Sequence, residues 1–100
     1  MHVISRKALV EAGKQHPELA KPLDAWYRIA KKAEWKSLAE VRRTWPSADP
    51  VDGFAVFNIK GNSFRLITEI NYKTKRLFIR HVLTHAEYDR GGWKNERNRR

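Results

Sequence analysis

The densest run of groups able to move a proton near neutral pH is Arg80-His81-Val82-Leu83-Thr84-His85-Ala86-Glu87-Tyr88-Asp89, with two histidines and a tyrosine within eight residues. Upstream, the stretch from Lys60 to Arg80 carries Lys60, Arg65, Lys73, Lys75, Arg76 and Arg80 against the single acid Glu69, interleaved with Phe64, Tyr72 and Phe78. Cations for phosphates and rings for unpaired bases suit single-stranded RNA. A turn made basic for solubility accounts equally well for Lys73, Lys75 and Arg76. Arg65 and Arg80 differ, because an arginine inside an apolar strand must be paired or reach a ligand, and the nearby acid is Glu69. On RNA these groups need no metal: a base takes the ribose 2′-hydroxyl proton, cations stabilise the phosphorane, and an acid protonates the leaving 5′-oxygen. A hydrogen-bonded strand histidine and a tyrosine packing the sheet edge fit the same spacing. His81 and His85 also have the i, i+4 spacing of helical zinc ligands, but His81 falls in a strand pattern, no Glu follows it, and the other acids are scattered. No metal site and no cofactor is expected.

The elements that must position these groups follow from periodicity. His2-Val3-Ile4 reads as a short strand and Ser5 as the N-cap of a helix opening at Arg6, ended by Gly13 and His16-Pro17. Leu23, Trp26, Tyr27, Ala30 and Ala33 mark a second helix, starting at Pro17 or with Pro22 in its first turn. Ser37 caps a short third one, with Glu40 at the capping-box position. Pro46 to Pro50 reads as a loop, after which the pattern turns to strands over Phe54–Ile59, Phe64–Ile70 and Leu77–Leu83. Gly61-Asn62 reads as a two-residue hairpin turn between the first pair, and Asn71 to Lys75 as a longer polar turn between the second. The expected fold is α+β, β-α-α-β-β-β, with two to three helices packed on one face of a small, mainly antiparallel sheet. Strict alternation sets Arg65, Ile67 and Glu69 on the open face, brings Arg80 beside them, and turns His81 away from Arg80.

Composition limits the partners. A chain of 100 residues with 41% hydrophobic residues makes one domain, assigned to residues 1–89, with 90–100 as a basic tail expected to be mobile. The net charge is +10, of which the tail holds four, so the folded part is itself basic and calls for a polyanionic or acidic partner. The absence of cysteine excludes a disulfide framework and a thiol nucleophile and fits the cytoplasm. Apolar runs are far too short to span a membrane, and no membrane partner is expected.

Met1-His-Val-Ile-Ser-Arg-Lys-Ala-Leu9, Trp26-Tyr27, Ala33-Glu34-Trp35, Val56-Phe57-Asn58-Ile59 with Gly61-Asn62, Phe64-Arg65-Leu66-Ile67, and the run Ile79 to Asp89 together resemble the HigB toxins of bacterial type II toxin–antitoxin systems, in the RelE superfamily. The resemblance extends to about Lys94. It implies an endoribonuclease that cuts mRNA in the ribosomal A site, is neutralised by a HigA-type helix-turn-helix antitoxin, and meets operator DNA through the antitoxin complex. By motif, Arg65 and Arg80 would stabilise the phosphate from neighbouring strands. His81 or His85 would serve as base or acid, His85 being preferred, and Tyr88 corresponds loosely to a carboxyl-terminal catalytic tyrosine. Asn58 and Lys60 would flank the RNA path. The same scaffold serves ParE-type toxins that bind DNA gyrase, so a non-catalytic inhibitor and a plain basic RNA- or ribosome-binding module stand as alternatives.

Overall fold

The computed structural model describes residues 1–94. Its centre is a five-stranded sheet of β1 (His2–Ile4), β2 (Asp49–Val51), β3 (Phe54–Ile59), β4 (Phe64–Asn71) and β5 (Arg76–Thr84), in the order β1-β5-β4-β3-β2. Strands β3, β4 and β5 form the expected antiparallel meander, and β1 joins β5 in parallel. The stretch read as a loop, Pro46 to Pro50, instead contributes β2, whose Pro50 pairs with Ala55 on the sheet's edge, where a missing N–H is tolerated. The hairpin turn is also longer than expected. Ile59 pairs with Phe64, so Lys60 to Ser63 make a four-residue loop, with Lys60 (φ 53°) and Gly61 (φ 61°) left-handed.

Helices α1 (Arg6–Gln15), α2 (Ala20–Lys32) and α3 (Leu38–Thr44) cover one face. Gly13 lies inside α1, which ends at the His16-Pro17 step, and a 3₁₀ turn, Pro17–Leu19, leads into α2 with Pro22 in its first turn. Ser37 caps α3 by accepting from the Glu40 N–H at 3.3 Å. Leu9, Leu19, Leu23 and Trp26 meet Phe57, Leu66, Leu77 and Ile79 in the main core, where Trp26 sits edge-on to Phe57 at 5.3 Å. Phe64 is buried there too, against His16 at 5.0 Å, so it is no platform for a base. Among the described residues no helix is long and apolar enough to cross a membrane.

One irregularity decides what the other face carries. Ile67 pairs with His81 while Thr68 pairs with Ile79, so Arg80 is an extra residue in β5. Paired residues of an antiparallel ladder share a face. The register therefore puts Arg65, Ile67 and Glu69 of β4 on the open face with Leu83, His81 and Phe78 of β5, while Leu66, Thr68 and Ile70 look to the helices with Val82, Ile79 and Leu77. The expectation from strict alternation, that His81 turns away from Arg80, is thereby corrected.

The chain after β5 folds back over that open face. Thr84 and Glu87 form a capping box: the Thr84 N–H donates to Glu87 Oε1 at 2.9 Å, and the Glu87 N–H donates to Thr84 Oγ1 at 3.1 Å. This starts α4 (His85–Arg90), which Gly91 ends in the left-handed conformation at φ 73°. A 3₁₀ turn, Gly92–Lys94, then buries Trp93 against Phe54, Val56 and Ile67, with Val51, Leu83 and Tyr88 at the margin. Of the stretch from residue 90 read as a basic tail, Arg90 closes α4 and Trp93 is packed on the sheet, and residues 95–100 lie outside the described residues.

Two outcomes follow from this closure. Trp93→Ala should remove about 3–5 kcal/mol of stability, seen as a lower urea midpoint at unchanged m-value; an unchanged midpoint would contradict the packing role. The Glu87 carboxyl is held below its ordinary pKa, chiefly by the Thr84 backbone hydrogen bond, so its contribution is present above the ordinary carboxylate range and lost as pH falls through the depressed value. Glu87→Gln should therefore flatten the acid limb of the stability–pH curve.

Candidate active site

Arg65 is the most constrained charge on the open face. It is 9% exposed, near the start of β4, where it pairs with Asn58 of β3 and Leu83 of β5. Its Nη1 donates to the carbonyls of Asn62 and Phe64 at 3.1 and 3.2 Å, and its Nη2 to Asn62 Oδ1 at 2.7 Å. All three acceptors are neutral, and they are fewer than a guanidinium's N–H groups can serve. Among the described residues no carboxylate lies within ion-pair distance of it. The loop from Lys60 to Ser63 thus orients a full positive charge without cancelling it.

Tyr88 closes over this corner from α4, with the Arg65 guanidinium carbon 5.3 Å from its ring centroid. Trp93 stacks on the same tyrosine at 5.3 Å and 17°, and its Nε1–H donates to the Tyr88 carbonyl at 3.1 Å. Burial raises the Tyr88 pKa, with help from the Asp49 and Asp89 charges and against that of Arg65. The phenol therefore stays protonated at neutral pH, a hydrogen-bond donor and not a base.

The two histidines lie on the chain that runs past Arg65, at the end of β5 and the start of α4. His81, half-buried, lies beside Ile67 on the open face, two residues along β4 from Arg65, or about 7 Å. His85 opens α4, its backbone N–H bonded to the Ser63 carbonyl at 3.0 Å, which ties the helix to the loop that holds Arg65. The His85 Nδ1 lies 3.0 Å from Asp89 Oδ2. With the proton on Nδ1 shared with that carboxylate, Nε2 is the acceptor.

Arg80 answers the question its position posed: its Nε donates to Glu69 Oε1 at 2.9 Å, the two side chains being 28% and 21% exposed, and its guanidinium lies 5.1 Å from the Phe78 ring centroid. Glu69 is four residues from Arg65, about 13 Å along β4. The remaining cations do not gather at one place. Lys60 stands exposed in the loop beside Arg65, next to half-buried Asn58. Lys73 and Arg76 are exposed at the far end of the β4–β5 hairpin, and Lys75 Nζ donates to the Trp35 carbonyl at 3.2 Å. Sequence reasoning missed Asn62, which orients Arg65, and Trp93, which backs Tyr88. The Thr84-x-x-Glu87 signature was there to announce α4. Among the described residues no three His, Asp or Glu side chains converge to hold a metal ion.

Comparison with known proteins agrees with this architecture. Residues 19–91 match the family described as HigB toxin, the RelE-like toxic component of a toxin–antitoxin system. The chain is 33% identical to an mRNA interferase HigB of Escherichia coli O6:H1 over 93 residues, 90% of each chain. It is equally identical to the mRNA interferase toxin HigB of Escherichia coli K12 over 92 residues, 89% of this chain and 88% of that one. The same identity over 92 residues relates it to an mRNA interferase HigB of Shigella flexneri. A sheet backed by three helices, with its open face closed at one end by a capped fourth, together with a match across most of the chain, places this protein in the HigB toxin family of toxin–antitoxin systems.

Proposed function

We propose that this chain is an endoribonuclease that cuts mRNA during translation, in the ribosomal A site in the cytoplasm, and is neutralised by a HigA-type helix-turn-helix antitoxin through which it meets operator DNA. The observation that carries the reading is Arg65: a guanidinium nearly withdrawn from water and held by neutral oxygens, with His81 two residues along the same face and His85 on the helix tied to its loop. A phosphate is the partner such a charge suits, because bidentate, charge-assisted hydrogen bonds offset the cost of burying it. The names of the relatives, all mRNA interferases, support the same substrate.

In this mechanism His85, oriented by Asp89, takes the proton of the ribose 2′-hydroxyl. The 2′-oxygen bonds to phosphorus, the bond from phosphorus to the 5′-oxygen breaks, and His81 delivers a proton to that leaving oxygen. The products are a 2′,3′-cyclic phosphate and a free 5′-hydroxyl. Arg65 stabilises the charge that builds on the phosphorane. Tyr88 holds the guanidinium plane and keeps a neutral hydroxyl at the site. Asn58 and Lys60 border the strand's path, and Arg80 acts from the next part of the sheet.

Arg65→Lys, which keeps the charge and loses the fork, should lower the cleavage rate about 10²-fold or more while the protein stays folded. His85→Ala and His81→Ala should each cost about 10²- to 10⁴-fold in cleavage rate. Mapping RNA 5′ ends after induction without antitoxin checks the activity itself: new ends within coding sequence are expected, and uncut transcripts in growth-arrested cells would assign the scaffold to a non-catalytic inhibitor.

A further inference from the structure

A groove of about 700 Å³ lies on the sheet well away from Arg65, and among its lining residues are Lys36, Glu69, Tyr72, Lys73, Phe78 and Arg80. The registered pairing of β3 with β4 runs from Phe64 to Thr68, so Glu69 to Asn71 extend beyond it with β5 on one side. That overhang makes the space. Its parts are held in place. The ion pair with Glu69 fixes Arg80 over the Phe78 ring, giving a shelf of one guanidinium and one half-exposed aromatic. Asn71 Oδ1 accepts from the Lys73 and Thr74 N–H groups at 3.1 Å each, fixing the turn that presents Lys73. The Lys75 bond to the Trp35 carbonyl draws the loop bearing Lys36 against the same turn. Lys36 and Lys73 are both exposed at the rim.

We infer that this groove is a nucleotide subsite: the base of an unpaired nucleotide stacks on the Arg80–Phe78 shelf and its phosphate is met by Lys36 and Lys73. The inference rests on the reading of the chain as an RNA-cleaving toxin and adds where a second part of the strand is gripped. Three things favour RNA over a protein segment. The lining holds three cations against one carboxylate, and that carboxylate is paired with Arg80. A ring under a guanidinium is a sequence-tolerant surface for a base. The shelf also shares the open face with Arg65, on the neighbouring strand β5 opposite Glu69, which lies about 13 Å along β4 from Arg65, within reach of an extended strand a few nucleotides long. Lys75, which sequence reading grouped with the RNA contacts, becomes a strut of this subsite.

The experiment uses the full chain and non-cleavable 2′-O-methyl oligoribonucleotides of increasing length. Affinity should rise sharply at the length that spans from Arg65 to the groove. Phe78→Leu should lose that gain, about tenfold to a hundredfold, while binding the shortest oligonucleotides as the parent does, and Phe78→Tyr should restore it. Lys36→Gln, an exposed change that leaves the fold intact, should shrink the salt dependence of binding by roughly 0.7 in log–log slope for the long oligonucleotides alone. Equal affinity of parent and Phe78→Leu at every length overturns the subsite, as does unchanged RNA binding with lost binding of the antitoxin. A parent that binds by length yet cuts no mRNA in a translation reaction leaves the subsite standing and removes the nuclease reading instead.

Discussion

The functional face of this protein depends on one extra residue in β5. Side chains alternate along a strand, so a ladder in perfect register cannot show two consecutive residues on one face. At Arg80 the register slips between the Ile67–His81 and Thr68–Ile79 pairs. Upstream of the slip, Leu77 and Ile79 fill the main core; downstream, Val82 packs against that core while His81 and Leu83 take the open side. The core is kept continuous on the helix side, and the open side gains Arg80 and His81 together. Bulges re-aim side chains next to binding sites in many sheets. Here the same slip positions the ion pair with Glu69 and sets His81 on the face that Arg65 shares.

This also explains what could and could not be read from the chain. Elements with strong periodicity were legible: α2 from Trp26 and its neighbours, the three meander strands to within a residue or two, the cap at Ser37. Their signals are local. The identity of Arg65 and Arg80 as unusual residues was legible for a related reason, since burial of a charge contradicts the strand around it. The face of His81 was not, because a register slip is a property of two strands and leaves no mark on either alone. Trp93 was misjudged for another reason. Two glycines and a run of charges read as a tail, yet one large ring finding an apolar hollow of Phe54, Val56 and Ile67 outweighs them. β2 hid behind Pro50, which an edge strand can carry and a central one cannot.

The two cores divide the work. The larger one, between three helices and the sheet, has the fully buried side chains of Leu19, Trp26, Phe57 and Leu66 and makes a platform that does not depend on α4. The smaller, around Trp93, is assembled on the open face and holds Tyr88 against Arg65. Its boundary is a capping box at one end and a left-handed glycine at the other, each a local device that fixes where a six-residue helix starts and stops. So short a helix has little stability of its own. The site's aromatic roof is therefore as firm as the ring beneath it, and the Trp93 stack is what converts a short helix into a fixed wall.

Arg65 shows the cost of this arrangement. A cation withdrawn from water with no carboxylate beside it among the described residues is a net expense, several kcal/mol before compensation, and three neutral hydrogen bonds and a tyrosine face recover a part. A carboxylate at Asn62 would recover more and would also occupy the guanidinium. An amide in that position orients the fork and leaves its charge uncompensated. The contrast with Arg80, which has its carboxylate, follows: one arginine is tied into a structural pair that shapes the sheet, and the other is kept as an open positive centre. In a chain of net charge +10 many residues can attract a polyanion from a distance. Attraction from exposed lysines is screened within about a Debye length, whereas a nearly buried guanidinium acts at contact, where screening is weakest and orientation counts most. On the proposed reading, the excess charge brings the strand to the sheet and Arg65 determines which phosphate is held.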